Sequence, residues 1–426
     1  MNNKPRKFTT AFGFALALMA SGSQAENLTE IYQLAASNAP QIRGAGAALE
    51  AARQTLPQSE ANFLPSIDVG ADATTNSNSL LRDSQSASIS LTQSVYNRAN
   101  NVQRDSARNT IAQAQADFAG ADQNLILDVA SAYFTVLAAE DNLEFAEAEK
   151  ESNARQLEQT RQRFEVGLIA ITDVHESQAA YDISVAETIA AVNALNNSQE
   201  QLRELTGQYH KSLAKLDEKL PLVGPDPADP ARWTEIALRQ NPALISIQES
   251  TRLASQNVAA QQVTDYPTAD IVLQHSELNN GSPAADGTSA ILSLNYSLYD
   301  GKRTKANVSQ ARQLLQQSKE VYEQTRRATE RQVRNAYRGV LSNISQAQAL
   351  KQAVVSTKSA LRAAEAGYEV GTRTTVDVLV ARSSLFDALR NYARARYNYV
   401  LNALQLRQAA GTLSVEDLVK IDNWLH

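Results

Sequence analysis

Alternation of apolar and polar residues is confined to four short runs, each set between long stretches of helical period. Residues 66–73 place Ile67, Val69, Ala71 and Ala73 on one side and Ser66, Asp68, Gly70 and Asp72 on the other, a period of two that predicts a strand with one apolar face. After a polar run over 74–86, Ala87, Ile89 and Leu91 oppose Ser88, Ser90 and Thr92. The same design returns later, with Ala269, Ile271 and Leu273 against Asp270, Gln274 and Ser276. A Gly/Pro/Asn/Asp loop follows over 279–287, then Leu292, Leu294, Tyr296 and Leu298 against Ser293, Asn295 and Ser297. Such strands suit a soluble sandwich or a membrane barrel, because a spanning strand needs only about 9 to 11 residues. The pattern alone leaves both open.

Between the strand pairs the period is helical. Residues 27–62 are rich in Ala and Gln and read as helix, with Pro65 ending the segment. Residues 97–166 and 300–370 contain no proline, and each predicts a helix of about 105 Å at 1.5 Å per residue. Apolar positions fall at packing intervals: Leu125, Val129, Ala132, Val136 and Ala139 in the first, Val333, Ala336, Val340 and Ile344 in the second. Helices this long need lateral partners, which predicts coiled-coil-like contact along their length. Glycine then closes each one, in Val166-Gly167-Leu168 and Val370-Gly371-Thr372, with Thr172 and Thr375 as candidate caps of the returning helices.

The recurrence is an internal two-fold repeat. Pro40 returns as Pro242 and Pro65 as Pro267 at an offset of 202, Tyr96 as Tyr299 at 203, and Gly167 and Gly207 as Gly371 and Gly411 at 204. The expected organisation is a first repeat over 26–207 (strands about 64–95, helical hairpin about 97–207) and a linker over 208–230. A second repeat over 231–411 (strands about 267–299, helical hairpin about 300–411) and a C-terminal segment over 412–426 complete it.

Composition narrows the class. Residues 1–25 carry Lys4, Arg6 and Lys7, an apolar stretch over 11–20, and Ser23-Gln24-Ala25, the layout of a cleavable export signal. Without those three basic residues the chain holds 37 basic against 46 acidic side chains, net −9, a sign that disfavours nucleic acid. There is no cysteine for a disulfide framework or a lipid anchor. His175, His210, His275 and His426 have no metal-ligand spacing, and no phosphate loop or nucleophile elbow occurs. Glu147 with Glu149, and Glu416 with Asp422, read as solvated helix charges. A non-enzyme without cofactor or metal is expected. An export signal, polar hairpin tips and wet opposite strand faces favour the barrel. Four strands cannot close one around a lumen, so several chains must share it.

At the hairpin tips the residues carry a family likeness. Arg163-Phe164-Glu165-Val166-Gly167-Leu168-Ile169-Ala170-Ile171-Thr172-Asp173-Val174 and Gly367-Tyr368-Glu369-Val370-Gly371-Thr372-Arg373-Thr374-Thr375-Val376-Asp377-Val378-Leu379 resemble the two periplasmic turns of the TolC family of Gram-negative outer-membrane factors. Ala395-Arg396-Tyr397-Asn398-Tyr399 and Gly411-Thr412-Leu413 are similar too, and the resemblance covers about 26–420. It implies an α+β membrane protein: a homotrimer whose chains each give four strands to a twelve-stranded outer-membrane β-barrel, continued by a long periplasmic α-helical barrel. The linker and the C-terminal segment would form a belt around its middle.

The resemblance also implies a periplasmic mouth held shut by polar links. The matching positions are Gln156, Thr172 and Asp173 on the first hairpin and Tyr368 and Arg373 on the second. A carboxylate accepting from a phenol and a guanidinium makes a breakable latch, at roughly 0.5 to 3 kcal/mol per link. The alternative is that Asp173 and Arg373 are ordinary solvated turn charges. Asp377 matches an acidic ring that constricts the pore, but Val380 stands where the family has a second aspartate, so the ring should be thinner. Gly167, Leu168, Gly371 and Thr372 would meet the hairpins of a periplasmic adaptor joined to an inner-membrane RND or ABC transporter, with outer-membrane lipid around the barrel. The implied function is a passive exit duct for efflux, type I protein secretion, or both. Two rivals stand beside it: a dedicated type I secretion channel, and a structural coiled-coil surface protein that conducts nothing.

Overall fold

The computed structural model describes residues 25–75, 83–217, 219–279 and 285–426. Nearly all of the expected export signal and the middles of both strand-connecting loops lie outside these residues. Asn27 opens α1 (Leu28–Asn38) with a capping box to Glu30. Pro40 then ends it and begins α2 (Pro40–Arg53), which is followed by α3 (Thr55–Ala61). The stretch expected to be one helical element over 27–62 is therefore three. The second repeat breaks at its matching proline, with Pro242 dividing α6 (Pro230–Gln240) from α7 (Pro242–Gln262).

The four strands form one antiparallel sheet in the order β1 (Ser66–Thr74), β2 (Ser84–Tyr96), β3 (Thr268–Asn279), β4 (Ala285–Asn295). Its register aligns Ile67, Leu91, Leu273 and Ala290 in one cross-strand row, all on the apolar face. On the other face Asp68, Ser90, Gln274 and Ser289 align. The sheet is open: β1 and β4 each have one unpaired edge among the described residues. β4 stops at Asn295, short of the expected 299, because its last partner is Thr268 and the next, Pro267, has no N–H for the ladder.

Two helical hairpins leave this sheet. α4 (Arg98–Glu165), of 68 residues, returns as α5 (Ile171–Thr206), and α8 (Arg303–Glu369), of 67, returns as α9 (Thr375–Ala410). α4 packs on α5, α7 and α9, and α8 on α7 and α9, so each long helix has a partner along its length.

The core sits midway along the helices. Leu125, Val129 and Val136 of α4 and Val333 and Val340 of α8 are buried there, as their spacing predicts, with the Phe134 and Tyr397 rings tilted against each other at 5.7 Å. Around them runs a belt. Residues 212–217 pair with Glu26 and with the C-terminal Leu425, while Tyr133 donates to the carbonyls of Glu26 and Ala214 at 3.1 and 2.8 Å. α10 (Val415–Asp422) closes the belt with buried Leu418 and Ile421.

Candidate functional site at the hairpin tips

Both tips are built by the same backbone device. At the first, the Gly167 N–H reaches the Phe164 carbonyl at 2.8 Å and the Leu168 N–H the Arg163 carbonyl at 2.9 Å. At the second, the Gly371 and Thr372 N–H groups reach Tyr368 and Gly367 at 3.1 and 2.8 Å. This closure needs a left-handed residue, and Gly167 and Gly371 supply it at φ 77° and 76°. Leu168 and Thr372 are exposed at the apices beside exposed Val166 and Val370.

The returning helices start differently from expectation. α5 has Ala170 at its N-cap with no side-chain cap, and Thr172 lies inside the first turn. α9 is capped by Thr374, not Thr375: its hydroxyl accepts from the Asp377 N–H at 3.2 Å, and Asp377 Oδ2 accepts from the Thr374 N–H at 2.8 Å. The second tip is the tighter, because the Arg373 N–H also bonds Gly367. Thr374 is extended at the position that matches Ala170 of the first tip, and Thr375 is buried.

Electrostatics at the second tip centre on Asp377. The Thr374 N–H, then its hydroxyl, then Arg373 hold this carboxyl below the usual range. Arg373 is exposed and reaches Asp377 at 3.5 Å, its stem crossing Gly367 where a Cβ would meet Arg373 Cγ at 2.6 Å. The Asp173 carboxylate, in the first turn of α5, has no hydrogen bond or ion pair among the described residues, and the buried Tyr368 hydroxyl has no partner there either. Arg163 lies 4.8 Å over the Tyr368 ring. A single chain therefore joins Arg373 to Asp377 and leaves Asp173 and Tyr368 uncommitted.

Gln156 is brought into a different constellation. It lines a cavity of about 720 Å³ between the hairpins with Arg155, Arg163, Glu365, Tyr368 and Arg382. Arg382, 7% exposed, is the functional candidate that sequence reading missed. Its guanidinium reaches from α9 to Ser152 O, Asn153 Oδ1 and Gln156 Oε1 on α4 at 3.4 Å, and to Glu365 on α8 at 3.5 Å. Burial pushes its pKa down. A signal was present: Thr375, Val378 and Arg382 fall three and four apart on one buried stripe, where a charge is out of place.

An open four-stranded sheet with one apolar face, extended by paired helices of nearly 70 residues, defines a subunit of an outer-membrane channel with a helical periplasmic extension. The family model for outer membrane efflux proteins matches residues 31–208 and 233–412, one match per repeat. The chain belongs to that family. It is 40% identical to the outer membrane protein TolC of Vibrio cholerae over 96% of both chains. It is 27% identical to the alkaline protease secretion protein AprF of Pseudomonas aeruginosa, covering 97% of this chain and 90% of that one. Among solved structures, the CmeC outer membrane channel of Campylobacter jejuni superposes with a TM-score of 0.78 at 14% identity, over 99% of this chain and 97% of the other. The sheet accordingly lies in the outer membrane, and the helices extend into the periplasm.

Proposed function

We propose that this chain is one third of a homotrimeric exit duct that carries drugs, other small molecules or secreted proteins out of the periplasm without chemistry of its own. The observation that carries the reading is the sheet: four strands, one face apolar and the other polar, with both outer edges unpaired among the described residues. Three such sheets joined edge to edge give twelve strands and a closed barrel, which removes every edge. Side-by-side association is supported along α8, where Leu314 and Val321, and Leu341 and Val355, are exposed at seven- and fourteen-residue steps.

The mouth is the tip region, held shut by links between hairpins from Thr172 and Asp173 to Tyr368 and Arg373. Uncommitted Asp173 and Tyr368 supply the capacity for these links, and Arg373 is free to exchange its long contact with Asp377. Asp377 lines the constriction. An adaptor engages Gly167, Leu168, Gly371 and Thr372, and an inner-membrane RND or ABC transporter supplies the energy. The likeness to AprF supports type I secretion alongside efflux. A heat-modifiable trimer on a gel tests the assembly. Drug sensitivity of a deletion strain, against loss of one secreted protein, separates efflux from dedicated secretion. A monomer that stays monomeric in detergent and lipid contradicts the proposal.

A further inference from the structure

The seam between α4 and α9 is bridged by polar rungs whose quality declines toward the tips. Nearest the belt, the Tyr397 hydroxyl donates to Asp141 at 2.7 Å. Next, Arg390 pairs at 2.9 Å with Glu149, whose side chain is 7% exposed, and also holds Asp387 at 2.7 Å. Nearest the tip is Arg382, with four acceptors all at 3.4 to 3.5 Å and an Nε that has no partner.

Good N–H···O bonds lie near 2.9 Å, and a buried charge is tolerated when its hydrogen bonds are made. The upper two rungs meet that standard and the last one does not. Arg382 is taken from water without full compensation, and like-charged Arg155 opposes it while Glu365 and Glu149 favour it. Parting α9 from α4 at this level returns the guanidinium to water. Parting them one rung higher would break the well-made Glu149–Arg390 pair, whose 2.9 Å bond offsets its burial. The cavity beside Arg382 leaves room for the first movement.

We infer that Arg382 is a positioning residue of the mouth, a poorly satisfied buried charge that biases the α8–α9 hairpin toward leaving α4 up to the Glu149–Arg390 pair and no further. This rests on the gated-duct reading above. Two opposite substitutions follow from it. Arg382→Met keeps the volume and removes the uncompensated charge, so it favours the closed mouth. Gln156→Glu gives Arg382 a carboxylate where it now has an amide oxygen at 3.4 Å, and so closes the mouth too. With both together, the new carboxylate is buried without its partner and the effect of Gln156→Glu reverses sign.

The experiment is single-channel conductance of the intact trimer in planar bilayers, starting from a Tyr368→Phe, Arg373→Glu channel whose mouth is relaxed, with gel trimer stability as the folding check. Arg382→Met and Gln156→Glu should each lower the relaxed conductance, and Gln156→Glu should raise it in the Arg382→Met background. Gln156→Glu alone reads the same sign if Arg382→Met does not assemble. Unchanged conductance in both single variants, or the same sign of Gln156→Glu in both backgrounds, overturns the role of Arg382 while leaving the gate standing. A relaxed channel no more conductive than the wild type brings down the gate reading, and this inference with it.

Discussion

The duplicated helix ends provide an internal control on how tightly the belt is packed. Gly207 ends α5 and Gly411 ends α9, both left-handed at φ 82° and 76°. Alanine at either position bears the left-handed penalty, about 1 to 2 kcal/mol. At Gly207 the nearest atoms to a new Cβ belong to the Asn38 side chain at 3.9 Å, ordinary contact. At Gly411 the Cβ would lie 2.3 Å from the Gln240 carbonyl oxygen and 2.7 Å from Asn241 Cα, so backbone must move. Asn241 is buried, caps α7 and donates to the Ala409 carbonyl at 3.0 Å, and displacing it strains the corner between α6 and α7. Overpacking of that kind adds about 1 to 3 kcal/mol. The expected costs are then about 1 to 2 kcal/mol for Gly207→Ala and about 2 to 5 kcal/mol for Gly411→Ala. A chain of 426 residues lies beyond the two-state range of small single domains, so the assay is the relative thermal midpoint of helical circular dichroism in one detergent. Gly411→Ala should lower it clearly more than Gly207→Ala. Equal drops would refute the claim that the α9 end is locked against the α6–α7 corner.

Three further outcomes follow. Leu273→Arg places a charge in the apolar cross-strand row and should cost roughly 2 to 4 kcal/mol near the midplane, read as urea sensitivity in lipid vesicles, whereas Gln274→Arg on the opposite face should be tolerated. Asp377 has a folded pKa below the ordinary aspartate value, so its contribution is fully present above that value and is lost only as pH falls through the folded one. Thr374→Ala removes the cap hydroxyl, and cation selectivity should then be lost at a higher pH than in the wild type; an unchanged pH profile would exclude Asp377 from the constriction. Val380→Asp, on an exposed position of α9 one turn beyond Asp377, should thicken the acidic ring and strengthen block by multivalent cations in conductance traces.

The features legible in the sequence are those written in local period. Alternation gave the strand faces, because Ile67, Ile89, Ile271 and Leu292 sit two apart from their apolar neighbours. Glycine marked the tips at Gly167 and Gly371, whereas the helical period runs on across Pro40 and Pro242 and hid the breaks there. The end of β4 was misjudged because it is set by Pro267 on the partner strand, a long-range effect that Tyr296 and Leu298 do not reveal. The helix starts fall at matching positions, Ala170 and Thr374, whether or not a capping side chain stands there, so the position of a threonine did not mark them. The α4–α9 rungs join residues more than 200 apart, so the stripe shared with Val378 could mark Arg382 as out of place but could not name its partners on the facing helix.

The central claim is that three copies form a pore whose periplasmic mouth is closed by breakable links. Its most direct test is the single-channel conductance of the mature protein in a planar lipid bilayer, beside that of the Tyr368→Phe, Arg373→Glu variant. The account predicts a small wild-type conductance that rises severalfold in the variant. Silent bilayers from both proteins, each shown to be a folded heat-modifiable trimer, would contradict it and favour a structural role at the cell surface.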